Sequence, residues 1–226
     1  MQRTFGLFLC AICLILSAGC TNNRQGTDLP ESETSRLAES VPPTDNKPQK
    51  ADTKATDVFN VRLKTSKGDI VVEVHPEWAP KGAERFRKLV ESNFYDGCRF
   101  FRVLPNFMAQ FGINGNPDVQ KLWRNKNIPD DPRKKSNTRG MVTFAKTDLP
   151  NSRSTQVFIS YGDNSRLDGQ GFSPFGKVIE GMDVADAINA EYREKPDQSR
   201  VQSQGNAYLN RDFPNLDYIE TATIVE

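Results

Sequence analysis

Between residues 58 and 65 the side chains alternate, with Val58, Asn60, Arg62 and Lys64 on one parity and Phe59, Val61 and Leu63 on the other. A period of two is that of a half-buried strand. Lys67-Gly68 makes a turn, and the apolar run 70–74 completes a hairpin. The period then changes. Ala79, Ala83, Phe86, Leu89 and Val90 recur at helical spacing around Pro80, which suits a first helical turn, and Asn93 can end the helix. Strand-like runs follow at 99–104, 107–111, 140–145, 156–161, 174–179 and 218–225. One more short helix fits 182–190, with Asp183 near its positive end. Many short strands and two helices predict one antiparallel barrel or sandwich over residues 57–226.

The first 56 residues follow neither period. Arg3 precedes an apolar stretch, residues 5–16, which meets Ser17-Ala18-Gly19-Cys20. About a dozen apolar residues are too few for a spanning helix of ~20, and the layout over 1–19 is that of an export signal. The small residues ending in Gly-Cys resemble a bacterial lipobox, which implies diacylglycerol on the Cys20 sulfur, cleavage before it and a lipid-bilayer anchor. Ser17 stands where a large aliphatic residue is usual, with Leu16 one place earlier. An ordinary cleaved signal with a chance cysteine therefore stays open. Two or three acyl chains would anchor firmly, at ~0.8 kcal/mol per buried methylene. Residues 20–56 are polar and interrupted by Pro42-Pro43 and Pro48, as in a solvated tether. A flexible coil of about 35 residues spans roughly 30–35 Å. The expected location is a bacterial cell envelope, on its periplasmic or extracellular side.

Composition narrows the chemistry. The 226 residues carry 30 basic and 29 acidic side chains, a net charge of +1 that gives no footprint for nucleic acid. Of the four cysteines only Cys98 lies in the body, so neither an internal disulfide nor a zinc cluster is expected. The one histidine, His75, sits among turn residues in His-Pro-Glu and reads as a surface side chain rather than part of a Ser-His-Asp or Cys-His arrangement. There is no Gly-x-Ser-x-Gly elbow, phosphate-binding loop or dinucleotide fingerprint. Asp130-Asp131 and Asp163 lack a ligand-spaced loop, so no metal or cofactor is expected. Nothing in the sequence demands more than a monomer.

One stretch is specific. Phe94-Tyr95-Asp96-Gly97-Cys98-Arg99-Phe100-Phe101-Arg102-Val103-Leu104-Pro105-Asn106-Phe107-Met108-Ala109-Gln110 resembles the signature of the cyclophilins. Two further segments agree in kind and order: Phe144-Ala145-Lys146 with Asn151-Ser152 and Thr155-Gln156-Val157-Phe158-Ile159, then Leu167-Asp168-Gly169 with Phe175-Gly176-Lys177-Val178 and Glu180-Gly181-Met182. The likeness covers residues 58–225. It implies a closed eight-stranded antiparallel β-barrel capped by two α-helices, and peptidyl-prolyl cis/trans isomerase activity on proline-containing polypeptides.

An X–Pro bond rotates in tens to hundreds of seconds unaided, over a barrier of about 18–20 kcal/mol. A catalyst must hold the ring and favour the twisted amide, where resonance is lost and the prolyl nitrogen becomes more basic. A cation beside that nitrogen or the preceding carbonyl binds the twisted state best, which is differential binding. The resemblance gives this part to Arg102, whose charge is permanent and whose fork is rigid. It places Gln110 and Gln156 beside the arginine and the substrate backbone. Phe107, Met108, Phe158 and Leu167 match the pocket for the ring, Ala145 and Lys146 the segment along which the substrate lies, and Phe172 a further aromatic of the pocket. Alternation puts Arg102 on a strand face with Phe100 and Leu104, away from Phe101. Taken singly, Phe107, Met108 and Phe158 fit a barrel core, and Arg102 a surface charge. The joint spacing carries the reading.

The departures are local. Phe101 replaces the histidine that usually precedes the arginine. Arg166 stands where many members carry tryptophan, removing an indole donor for the family's cyclic peptide inhibitor. Lys146 replaces a common asparagine or arginine. Residues 191–214 form an insertion, irregular by its pattern, which Asn206-Ala207-Tyr208-Leu209 and Phe213-Pro214 could pack down. Phe101 and Arg166 motivate a second reading, a proline-peptide binding module or chaperone with little turnover.

Overall fold

The computed structural model describes residues 57–225. The export signal, Cys20 and the tether lie outside the described residues. The first hairpin forms as its alternation predicts. β1 (Phe59–Thr65) buries Val61, Leu63 and Thr65 while Arg62 and Lys64 face water, and β2 (Gly68–Val74) runs antiparallel to it with Phe59 opposite Val74. α1 (Pro80–Glu91) buries Gly82, Ala83, Phe86, Leu89 and Val90. Its first turn has no side-chain cap of its own. The orphan N–H groups of Lys81 and Gly82 instead donate to the Asp131 carboxylate, at 3.1 and 2.9 Å.

The chain continues through β3 (Arg102–Leu104), β4 (Met108–Phe111), α2 (Pro117–Trp123), β5 (Met141–Phe144), β6 (Val157–Ser160), a 3-10 turn (Ser165–Gln170), β7 (Pro174–Glu180), α3 (Met182–Asp186), α4 (Gln198–Asp212) and β8 (Ile219–Val225). The eight strands form one antiparallel sheet in the order β3-β4-β6-β5-β7-β2-β1-β8, curled around a core that includes Phe86, Phe94, Phe100, Phe111, Phe144 and Phe175.

The barrel expected from the resemblance is not closed. β3 and β8 are the two ends of an open, half-barrel sheet. β3 is only three residues long, and the segment before it meets the residue preceding β8 through one isolated bridge, Arg99 to Tyr218. Three backbone bonds stitch this seam: Gly97 N–H to Ile219 O, Ile219 N–H to Cys98 O, and Phe100 N–H to Asp217 O. The same irregularity corrects the predicted strand at 99–104. Alternation begins at Arg102, so Phe100 joins the main core rather than sharing the face of Arg102 and Leu104.

Among the described residues four α-helices are found where two were expected. α2 opens on Asn116, whose side chain accepts from Asp118 N–H, with Pro117 at the first position. α4 lies within the insertion expected to be irregular, capped by Asp197 and kinked at Gly205. Tyr208 and Leu209 are buried there, as anticipated, in a second small core with Phe101, Ile113, Val201 and Leu216. The helix expected at 182–190 stops at Asp186.

Candidate active site

The two faces of the short strands part company in the β3–β4–β6 region. Val103, Ala109, Phe111, Val157 and Ile159 point into the main core. Their neighbours of opposite parity point outward: Arg102 and Leu104 on β3, Met108 and Gln110 on β4, Phe158 on β6. The register sets Arg102 beside Gln110 and Gln110 beside Phe158, so an arginine, an amide and a phenyl ring stand in a row. The β3–β4 turn brings up Phe107. Its Asn106 sits at φ 63°, a left-handed conformation that asparagine tolerates better than most residues. Asn164 Nδ2 fixes the turn by donating to Phe107 O at 2.8 Å.

These side chains wall a hollow of about 270 Å³. Met108, Phe158 and Leu167 are buried beneath it, with Leu104, Phe107, Ala145 and Phe172 packed around them half-exposed. The Phe172 ring lies 6.0 Å from that of Phe158, nearly edge-on. All ten pocket residues named from the resemblance line this hollow: Arg102, Phe107, Met108, Gln110, Ala145, Lys146, Gln156, Phe158, Leu167 and Phe172. Thr147, Ser152, Ser154 and Gln198 line it too and were not anticipated as site residues. The first three follow Lys146 along one loop, and Asn151-Ser152 already stood within the matching segment. Gln198 belongs to α4, for which no pattern signalled a role.

Arg102 is held on two sides. Its Nη1 donates to Gln110 Oε1 at 3.3 Å, and Gln110 Nε2 donates onward to Gln156 Oε1 at 2.8 Å. Its Nε donates to Glu194 Oε2 at 3.2 Å, with Nη2 3.1 Å from the same oxygen. The guanidinium carbon is 5.7 Å from the centre of the Phe107 ring. Arg166, in place of the family's tryptophan, lies 4.5 Å from that ring and donates to Asn164 Oδ1 at 3.2 Å. Lys146 Nζ sits 5.6 Å from the Phe172 ring. The arrangement is a fixed cation at the rim of an apolar recess.

Two polar networks hold the walls. The turn carrying Leu167 is tied by Asp168, which accepts from Ser136 Oγ at 2.6 Å and from the side chain and backbone N–H of Asn137 at 2.8 and 3.0 Å. Burial pushes the Asp168 carboxyl up, but those donors, with Arg133 nearby, outweigh it and hold the group below the usual carboxylate range. Asn137 also donates to Phe172 O at 2.9 Å and accepts from Thr143 Oγ1 at 2.8 Å, so it spans turn and strand. The loop carrying Lys146 to Ser154 is pinned by Arg153. Only 1% exposed, it donates to Asp131 Oδ2 at 3.0 Å, the carboxylate that also caps α1.

Burial pushes the Cys98 thiol well up, away from the reactive thiolate. Among the described residues no cluster of three or more His, Cys, Asp or Glu could hold a metal ion.

The known proteins most informative for this chain agree with one another. A model of the cyclophilin-type peptidyl-prolyl cis-trans isomerase family matches residues 60–206. A peptidyl-prolyl cis-trans isomerase of Acinetobacter baylyi is 39% identical over 132 residues, covering 57% of this chain and 70% of its own. Peptidyl-prolyl cis-trans isomerase A of Dickeya dadantii is 39% identical over 141 residues, covering 60% and 73%. The fold is shared with a crystal structure of a Cryptosporidium parvum cyclophilin at TM-score 0.58 and 20% identity, over 75% of this chain and 99% of that one. The match spans the strands and loops that form the hollow, and on it the chain belongs to the cyclophilin-type peptidyl-prolyl cis-trans isomerase family.

Proposed function

We propose that this isomerase seats a prolyl ring on Met108, Phe158 and Leu167, and that Arg102 lowers the barrier to rotation of the bond before it. The observation that carries the reading is the placement of Arg102 at the rim of an apolar hollow, its Nη1 fixed by Gln110. Five N–H donors exceed what Gln110 and Glu194 take up, so the guanidinium keeps donors for a substrate. In the planar amide the prolyl nitrogen is a poor acceptor, because its lone pair is delocalised. As the amide twists the pair localises and a cationic donor binds it more strongly, so the interaction favours the transition state. The hollow excludes part of the surrounding water and strengthens that interaction. Gln110 and Gln156 orient the arginine, and Ala145, Lys146 and Phe172 border the path of the peptide. A solved C. parvum cyclophilin was crystallised in the presence of the dipeptide Ala-Pro, which supports a proline-containing peptide as the ligand here.

The clients are taken to be exported proteins, with the domain held to an envelope membrane by a lipid on Cys20. The N-terminal apolar run and the Gly19-Cys20 pair support this. Metabolic labelling with a radioactive fatty acid tests it: wild type carries label and Cys20→Ser does not, whereas equal labelling removes the anchor from the account.

For the catalytic reading, Arg102→Ala is expected to lower kcat/KM about 100-fold in a proline-limited refolding assay, in line with the loss of one preorganised donor. Wild type that leaves refolding unchanged at high concentration while still binding the proline-containing chain would favour the binding-module reading.

A further inference from the structure

We infer that the insertion at 191–214 is part of the active site, and that its Glu194 is a positioning residue that sets the orientation of Arg102. The inference rests on the reading of Arg102 above and extends it to a segment to which no role attaches. Three features place Glu194 there. First, the insertion is docked by a core of its own: Phe101, only 1% exposed, packs with Val201, Tyr208 and Leu209 of α4, and Tyr192 stacks edge-on with Phe213 at 5.1 Å. Phe101 thus anchors the insertion on one side of the chain while the next residue, Arg102, faces the hollow.

Second, the backbone joins insertion and strand directly. Val103 N–H, on the free edge of β3, donates to Arg193 O at 3.0 Å. Arg193 itself sits at φ 53°, a conformation a non-glycine residue adopts where its surroundings impose it. The turn is closed by Arg193 N–H to Ala190 O and Lys195 N–H to Tyr192 O. Third, this turn delivers Glu194 Oε2 to within 3.2 Å of Arg102 Nε and 3.1 Å of Nη2, while Gln110 takes Nη1 from the other side. Two anchors on one planar group fix its rotation, and the unengaged N–H groups are then held in one direction. Gln198, a turn further on, lines the hollow.

Glu194 is 64% exposed and Arg102 28%, so the pair is screened and its effect is modest. The test is a double-mutant cycle on isomerisation of an Ala-Pro peptide. Glu194→Gln and Glu194→Ala are expected to lower kcat about three- to fivefold, with KM within about twofold of wild type. Glu194→Asp recovers part of the loss. In an Arg102→Ala background Glu194→Gln changes nothing further. The Arg102 Nε–H resonance is expected to be sharp in wild type and to broaden in Glu194→Gln. Equal losses in both backgrounds, wild-type kcat in Glu194→Gln, or a gain in kcat would overturn the positioning role while leaving Arg102 in place. Wild-type kcat in Arg102→Ala would instead overturn the reading of Arg102 and this one with it.

Discussion

The sheet carries two apolar surfaces of similar residue types that end in opposite states. On the inner face, Phe86, Phe100, Phe111, Phe144 and Phe175 are no more than 1% exposed and lean on one another at ring separations of 4.9 to 5.3 Å. On the outer face, Met108, Phe158 and Leu167 are nearly as buried, yet Leu104, Phe107, Ala145 and Phe172 around them stay half-exposed over an open hollow. The inner surface is completed by the chain's own side chains; the outer one leaves space for a ring from elsewhere. The difference lies in what borders each surface. α1 and its continuation lay phenyl rings over the first. Around the second stand Arg102, Gln110, Gln156 and Lys146, which cannot close over it without losing water or their partners.

Substitutions on the two faces should therefore separate folding from activity. The largest effect is expected on the inner face: Phe111→Ala leaves a cavity in a closed core and costs about 4 kcal/mol of unfolding free energy by urea titration. Phe158→Ala, one residue on along the same strand pairing, opens onto an existing hollow. It is expected to cost about 2 kcal/mol by the same titration, less than a fully enclosed Phe, but to lower kcat/KM for an Ala-Pro peptide about tenfold, ~1.4 kcal/mol. Equal stability losses in the two variants, or full activity in Phe158→Ala, would erase the distinction.

A smaller effect is expected at the wall of the pocket. Asp168→Asn removes the carboxylate that orders the turn under Leu167, at a cost of about 1–2 kcal/mol near neutral pH. Asp168 is held below the usual carboxylate range in the folded state. Its stabilisation is therefore complete above the unfolded carboxyl value, ~3.9, and fades as pH falls through the lowered native value. The gap in urea midpoint between wild type and Asp168→Asn should hold from neutral pH to about pH 5 and close towards pH 2. A gap that widened on acidification would reverse the assignment.

Strands and hollow were legible in the sequence for the same reason. Period two set Arg102 with Leu104 on one strand face, and the three matching segments named the residues that the fold brings together at the hollow. What escaped depends on long-range contacts or on polar helices. α2 is one pair of turns whose apolar face is only Val119 and Trp123, half-buried against the main core, and its one fully buried residue is the polar Gln120, although Asn116-Pro117 is a visible start signal. α4 is mostly polar and broken at Gly205, whose φ of 59° and ψ of −145° lie outside helix space. The part played by Glu194, in the turn before α4, could not be read because it reaches Arg102 across 92 residues of sequence. Barrel closure failed for a similar reason: whether the segment before Arg102 continues a strand or turns into the core is decided by β8, far along the chain. Phe101, a departure from the family pattern, reads as sensible only once the insertion is seen packed on it.

The central claim is that a guanidinium fixed at the rim of an apolar hollow eases rotation of an X–Pro bond. Exchange spectroscopy on an Ala-Pro peptide, with enzyme at catalytic concentration, measures that rotation directly. Wild type should produce strong cis/trans exchange cross-peaks. Arg102→Ala, folded to the same urea midpoint and still binding the peptide, should leave exchange about 100-fold slower. Undiminished exchange in a folded Arg102→Ala would contradict the account.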